Sequence, residues 1–280
     1  MFNFCSLYSG STGNCLLVQT DETKILIDAG VSQKKIMTAL ASFNVNIEDI
    51  DAILVTHEHS DHVQNVGSLS KRYDIPVYCN METLNAMPVQ KEKISDENRI
   101  IFTPNKKFKI NDIEIQSFQI PHDAANPCGF NLFHDDKKIS IATDIGHMDN
   151  NLLDKLKESS FILLEANYDP DILKYSKYPF QLKQRILSPI GHLSNESSGK
   201  TITELTTKYG LKSAMLGHLS KENNYNLLIM PVQDFLHSST GIILMRNSLQ
   251  IRLLSFNILT KNRERKEGMF QTIIGTISSF

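Results

Sequence analysis

The sequence predicts an α/β protein in which two β-sheets pack together with helices outside. Three observations predict it. Short apolar runs of strand length fill the first half, helix-period and strand-period segments alternate in the second, and polar residues able to do chemistry recur where apolar runs end. The 280 residues, 41% hydrophobic and 21% charged, have ordinary globular proportions, which exclude disorder, collagen and coiled coil. A net charge of -2 gives no whole-molecule attraction to nucleic acid or to an acidic membrane. With no Trp, any base-stacking surface falls to the 8 Tyr and 14 Phe. No apolar run approaches the roughly 18 residues of a membrane span, and MFNFCSLYSG lacks a basic region followed by an apolar stretch. The expectation is a cytoplasmic protein with no membrane partner.

The elements follow in chain order. Strands are expected over Phe2–Leu7 and Cys15–Thr20, flanking the polar loop SGSTGN, and over Lys24–Asp28. Ile36, Met37, Leu40 and Phe43 recur at helical spacing. AILVT, Ala52–Thr56, is too short for a helix and rich in branched residues, hence a strand. IPVYC ending at Cys79 predicts another strand, and Met81–Met87 a helix. From Ile100 to Ala142 a meander is expected, with strands near Ile101–Thr103, Phe108–Ile110, Ile113–Ile120, Gly129–Phe133 and Ile139–Ala142. Its turns fall at Asn111-Asp112 and Asp135-Asp136. Beyond it come a helix at Asn151–Glu158, a strand at Phe161–Glu165, a helix at Glu196–Tyr209 and a strand at Leu211–Gly217. A helix near Pro231–Leu236 and strands Gly241–Met245 and Leu249–Leu254 end the pattern.

No linker divides the chain, so the expectation is one domain over 1–256 and a poorly ordered, solvated extension over 257–280, where charges of both signs break the pattern. Cys5, Cys15, Cys79 and Cys128 lie in apolar segments without CxxC spacing and read as reduced core thiols, a Cys5–Cys15 cross-strand pair being the alternative. The basic pairs Lys34-Lys35, Lys71-Arg72, Lys106-Lys107 and Lys137-Lys138 are scattered solvated charges unless the fold gathers them round one groove.

One cluster carries chemistry. His57, His59, Asp61 and His62 form HxHxDH directly after a strand. Imidazole and carboxylate are the usual donors for zinc or manganese. Alternation puts His57 and His59 on one side to grip a single metal, and the turn after Glu58 brings Asp61 and His62 round to a second. At this composition chance yields such a cluster roughly 5 times in 10,000.

Strand–HxHxDH resembles the metallo-β-lactamase fold, and other landmarks of that family occur in its order: Asp28-Ala29-Gly30 before the cluster, then Pro121-His122, Ala142-Thr143-Asp144 and Gly217-His218. The resemblance implies a four-layer αββα sandwich of two mixed β-sheets holding two divalent metal ions, Zn or Mn. His57, His59 and His122 would hold one ion, Asp61, His62 and His218 the other, and Asp144 would bridge them. Asp28 would hold a ligand imidazole by its free N–H, a strand-ending turn residue being the alternative. Glu165-Ala166-Asn167 and Gly191-His192-Leu193-Ser194 are similar to segments of ribonuclease Z, which makes His192 a non-ligand proton or hydrogen-bond donor near a scissile phosphate. Glu165 would orient it, a plain surface carboxylate being the alternative. SGSTGNC, PHDAANPCGF, LLEANYD, KYPFQLKQRI and GHLSKENN resemble the YycJ (WalJ) group of small bacterial nucleases.

That resemblance implies a phosphodiesterase on nucleic acid, a 5′–3′ exonuclease on single-stranded DNA or RNA that uses a metal-bridging hydroxide oriented by Asp61. A homo-oligomer is compatible with it. The alternative within the fold is hydrolysis of a small thioester, lactam or cyclic phosphodiester, and His192 separates the two. A non-catalytic metal module would call for a missing ligand, and all seven positions hold competent ones.

Overall fold

In a computed structural model of the chain, residues 1–224 are described, together with the backbone of 241–244. The first half builds a six-stranded sheet from β1 (Asn3–Tyr8), β2 (Cys15–Gln19), β3 (Lys24–Ile27), β4 (Ala52–Leu54), β5 (Val77–Cys79) and β6 (Arg99–Ile101), in sequence order. Its interleaved helices are α1 (Gln33–Ala41), α2 (Ser60–Val63), α3 (Val66–Tyr73), α4 (Met81–Ala86) and α5 (Pro88–Lys91). The second half builds a seven-stranded sheet from β7 (Lys107–Ile110), β8 (Ile113–Gln119), β9 (Cys128–His134), β10 (Lys137–Ala142), β11 (Phe161–Glu165), β12 (Ser213–Gly217) and β13 (Gly241–Leu244). With it come α6 (Asn150–Leu156), α7 (Pro170–Tyr175), α8 (Phe180–Leu187) and α9 (Asn195–Tyr209). Each sheet joins an antiparallel meander (β1–β3; β7–β10) to a parallel series (β3–β6; β10–β13).

Alternation along the strands makes the layers. Leu16, Val18, Ile25, Ile27 and Leu54 face inward onto Ile115, Phe130, Ile141 and Leu163 of the other sheet. Their immediate neighbours Leu17, Leu26 and Ile53 face outward onto Ile36 and Leu40 of α1 and Leu69 of α3. Ile162 and Leu164 likewise turn to α6 and α9, meeting Leu152, Leu156, Ile202 and Leu205. A strand buried on both faces reads as a continuous apolar run, as AILVT and FILL do. The arrangement is the four-layer αββα sandwich of two mixed sheets.

Two expectations are corrected, and of the two cysteine readings the free core thiols hold while the paired alternative is excluded. The strand expected over Ile101–Thr103 forms as β6 two residues earlier and leaves the meander, pairing parallel with β5 at Val77↔Arg99. A three-residue edge strand carries no turn signature to name its partner. Cys5 lies opposite Leu17 and Cys15 opposite Tyr8, so that register precludes their pairing; all four thiols are free. Burial pushes the Cys5 and Cys79 thiols up to about 12. The pair Lys137-Lys138 opens β10, at the end away from the site, and Lys138 Nζ donates to the carbonyls of Lys155 and Lys157, both at 2.7 Å. The helix expected at 231–236, the strand at 249–254 and the extension at 257–280 lie outside the described residues. No helix among the described residues is long and apolar enough to cross a membrane.

Candidate active site

Parallel strands aim their C-terminal ends alike, and side chains just past those ends collect at one edge of the sandwich. Asp28 follows β3, His57 follows β4, His122 follows β8, Asp144 follows β10, Glu165 ends β11 and His218 follows β12. Asp28, Asp144 and His218 have φ of 61, 60 and 53°. This left-handed turn costs a non-glycine residue about 1–3 kcal/mol and is held where the surroundings demand it. At His218 the demand is visible: its N–H donates to Ser9 Oγ at 2.8 Å and its carbonyl accepts from Asn167 Nδ2 at 2.9 Å.

HxHxDH crosses from strand to helix within six residues. His59 caps α2 with extended φ, ψ of -59 and 144°, and Asp61 and His62 occupy the first turn. His57 Nε2 then faces His59 Nδ1 at 3.1 Å, and His122 Nε2 faces the same nitrogen at 3.3 Å. Asp61 Oδ2 lies 3.5 Å from His62 Nε2 and 3.8 Å from His218 Nε2. Asp144 stands between the groups: Oδ2 is 3.4 Å from His62 Nε2, and Oδ1 is 3.4 Å from His218 Nε2 and 3.8 Å from His122 Nε2. Donor atoms of His57, His59 and His122 lie within 4.8 Å of one another, as do those of Asp61, His62 and His218. His57, His62 and Asp144 form a third such group, and Asp144, Glu165, His192 and His218 a fourth.

Hydrogen bonds fix which ring nitrogens are lone pairs, since a carbonyl or carboxylate can only accept. His122 Nδ1 donates to the Gly191 carbonyl at 3.0 Å, His62 Nδ1 to Asp28 Oδ2 at 2.7 Å and His218 Nδ1 to Glu165 Oε1 at 2.7 Å. Asp28 is itself fixed by Thr56, whose N–H reaches Oδ1 at 2.9 Å and whose hydroxyl reaches Oδ2 at 2.8 Å. The Nε2 atoms of His62, His122 and His218 are thereby turned inward. His218 Nε2 and Asp144 Oδ2 are buried without a hydrogen-bond partner. Two buried polar atoms without a partner, aimed into a cage of imidazoles and carboxylates, are what a cation would satisfy once it displaces the proton from the ring. The residues fit divalent metal.

The electrostatics agree. Burial and the adjacent His62, His122 and His59 rings hold His57 well below the usual imidazole range. Burial opposes charge on Asp144, yet His218 and His62 keep its carboxyl low. At Asp61 burial is likewise outweighed, by hydrogen bonds from His218 and His62. Burial would lower His218, but Asp144, Asp61 and Glu165 raise it to about 10.

His192 and Glu165 also meet here. Glu165 is fully buried, so the surface-carboxylate alternative fails. Its Oε1 accepts from His192 Nδ1 at 2.8 Å as well as from His218, and Oε2 accepts the N–H of Ile145 at 2.6 Å and of Leu193 at 3.1 Å. The sequence did not foretell the link to His218, which arises because β11 and β12 pair Glu165 with Gly217. Nor did it foretell Asn14, whose N–H donates to the Asp61 carbonyl at 2.8 Å and whose Nδ2 lies 3.0 Å from His62 Nε2. The SGSTGN loop therefore braces the cluster. Asp123 was missed too: its Oδ1 sits 3.4 Å from His122 Nε2, and Arg185 grips it through Nε at 2.5 Å and Nη2 at 3.1 Å. Adjacency to His122 was the available signal for Asp123; Arg185, 62 residues away, had none.

Comparisons with known proteins agree with this geometry. Residues 23–218 match the family model described as a beta-lactamase superfamily domain. The chain is 42% identical over 225 residues to the exodeoxyribonuclease WalJ of Streptococcus pneumoniae, covering 80% of this chain and 83% of that one. It is 39% identical over 222 residues to the exodeoxyribonuclease YycJ of Bacillus anthracis, covering 79% and 84%. The human short-form tRNase Z superposes with a TM-score of 0.59 at 14% identity, over 78% of this chain and 93% of that one, a likeness of fold. The match across the cluster and both sheets places the chain in the beta-lactamase superfamily, with the metallo-β-lactamase fold, as a member of the WalJ/YycJ family.

Proposed function

We propose that the chain is a divalent-metal-dependent exodeoxyribonuclease that shortens single-stranded DNA from its 5′ end. Its curated relatives bear the name exodeoxyribonuclease at 42% and 39% identity. The observation that carries the reading is His192, held 2.8 Å from Glu165 and 3.9 Å from Asp144 at the rim of the cage. A thiolate leaves unaided, its conjugate thiol having a pKa of about 8.5. The alkoxide of a cleaved phosphodiester is far more basic and needs a proton. An imidazole beyond the seven ligands suits the phosphodiester.

His57, His59 and His122 would hold one cation, Asp61, His62 and His218 the second, with Asp144 spanning both. When bound, such a pair makes water acidic enough to attack at neutral pH and offsets charge gathering on phosphorus. The residues do the rest. Asp61, with 26% of its side chain exposed, accepts a hydrogen bond from the incoming water and aims it at phosphorus. His192 turns Nε2 to the departing oxygen and gives it a proton as the P–O bond breaks. Glu165 holds the opposite N–H and keeps the ring in that orientation.

End-labelled single strands of DNA and RNA, with Mn²⁺ or Zn²⁺, test this. Metal-dependent release of the 5′ label from DNA is expected. His192→Ala should cut kcat by about 10²–10⁴ with metal content unchanged. A protein that holds two metals per chain and cleaves no strand would move the assignment to small-molecule hydrolysis.

A further inference from the structure

The α7–α8 hairpin between Glu165 and His192 carries a feature that the metal cage leaves unexplained. Tyr175 and Phe180 are 78% and 74% exposed, and Leu187 and Ile190 follow at 53% and 50%. Tyr175 and Phe180 are the aromatic members of the exposed large apolar side chains among the described residues. They are not left over from poor packing. The hairpin has its own core of Tyr168, Leu173 and Ile186, joined by Tyr178 and Leu182. Lys183 Nζ staples the two helices by donating to the carbonyls of Lys174 at 2.9 Å and Ser176 at 2.8 Å. Two large rings are thus held out in water on a fixed frame.

The charge of the hairpin runs against that of the chain. Residues 170–190 hold Lys174, Lys177, Lys183 and Arg185 against Asp171, 4 − 1 = +3, in a chain of net -2. The frame is tied to the site at its far end. The Gly191 carbonyl accepts from His122 Nδ1 at 3.0 Å, the His192 N–H donates to the Ile186 carbonyl at 3.0 Å, and Arg185 clasps Asp123 beside His122. From Arg185 to Phe180 is five residues of α8, about 7.5 Å at 1.5 Å per residue. Phe180 thus stands about one and a half turns along α8 from the Arg185–Asp123 clasp.

We propose that this hairpin is the platform on which a single polynucleotide strand lies as its end enters the cage. Tyr175 and Phe180 stack unpaired bases, while Lys174, Lys177 and Arg185 answer phosphates. The platform rests on the phosphodiesterase reading and adds how the strand is held. Aromatic faces interleaved with cations suit single strands, whose bases are free to stack, and not duplexes.

The test is binding of a fluorescein-labelled phosphorothioate single strand, which resists cleavage, to the metal-loaded full chain, with thermal midpoint and metal content as controls for folding. Tyr175→Ala with Phe180→Ala should weaken Kd by about 5- to 150-fold for each base unstacked. Lys174→Gln with Lys177→Gln should flatten the dependence of log Kd on log salt by about 0.7 for each phosphate that is no longer neutralised. Unchanged Kd in the aromatic variant overturns the platform even if the unmodified chain degrades DNA, and would leave the hairpin to a protein partner. Aromatic-dependent binding by a chain that cleaves no ordinary strand would instead overturn the nuclease assignment and sustain the platform. No measurable binding by the unmodified chain overturns the platform outright.

Discussion

At the scale of single residues the site is a set of imidazoles, of which His62, His122, His192 and His218 are held by a carboxylate or carbonyl behind the ring and His57 by the Thr56 hydroxyl. Asp28 shows what that costs and gains. It sits at φ 61°, 2% exposed, with both oxygens engaged by Thr56 and His62. Asp28→Asn keeps the shape but sets either an amide N–H against the His62 Nδ1 proton or a neutral oxygen there. The ring loses the partner that fixes its tautomer and raises its basicity. Metal affinity should fall about 10–100-fold without loss of the fold, as competition with a chromophoric chelator would measure; unchanged affinity would reduce Asp28 to a turn residue. The candidate ligands were legible because His and Asp at strand ends are chemically conspicuous. Of their supports, Asp28 and Glu165 were legible and the rest were not. Asn14, Thr56 and Asp123 are ordinary polar residues until the fold sets their atoms beside a ring, and the second partner of Glu165 is 53 residues away.

At the scale of elements, alternation and apolar runs disclosed the strands, while several short helices stayed hidden, although α4 and α6 were read. A helix of four to eight residues such as α2, α5 or α8, with no side-chain cap at its N-terminus, gives periodicity too little length to register. Loops matter as much as strands in placing the ligands. The Gly30 N–H donates to the Asn14 carbonyl at 2.8 Å, and the Asn14 N–H donates to the Asp61 carbonyl at 2.8 Å, so two loops and the first turn of α2 meet backbone to backbone. A β-carbon on Gly30 would lie 1.6 Å from the Asp61 carbonyl oxygen and 2.1 Å from its carbon. Backbone cannot swing aside as a side-chain tip can. Gly30→Ala should therefore displace Asp61, destabilising the fold by about 1–3 kcal/mol and weakening metal binding in the same variant. Urea unfolding with parallel metal titration checks both; a stable variant with intact affinity would show that the loop yields freely.

At the scale of the whole molecule the cage couples stability to metal and to pH. Two sheets that pack strongly on each other present four carboxylates (Asp28, Asp61, Asp144 and Glu165) at one edge, and something positive must answer them. In the metal-free chain that is the proton. Burial would lower His62, but Asp144 and Asp28 raise it well above the usual imidazole range, and His218 rises to about 10. A pKa raised in the folded state contributes stability that is full below the unfolded value near 6.5 and is lost as pH climbs through the folded value. The metal-free protein should thus lose stability from about pH 6.5 upward. The metal-loaded protein runs the other way, because metal and proton compete for the same Nε2 atoms and affinity grows as the protons leave. Ligand linkage contributes about 2.7 kcal/mol when free metal is 100 times Kd, and that contribution rises as Kd falls. The gap in Tm between metal-loaded and chelator-treated protein should therefore widen from pH 6 to pH 9. Scanning calorimetry of both forms across that range measures it. A gap that stays constant would mean that His62 and His218 carry no protons for the metal to displace.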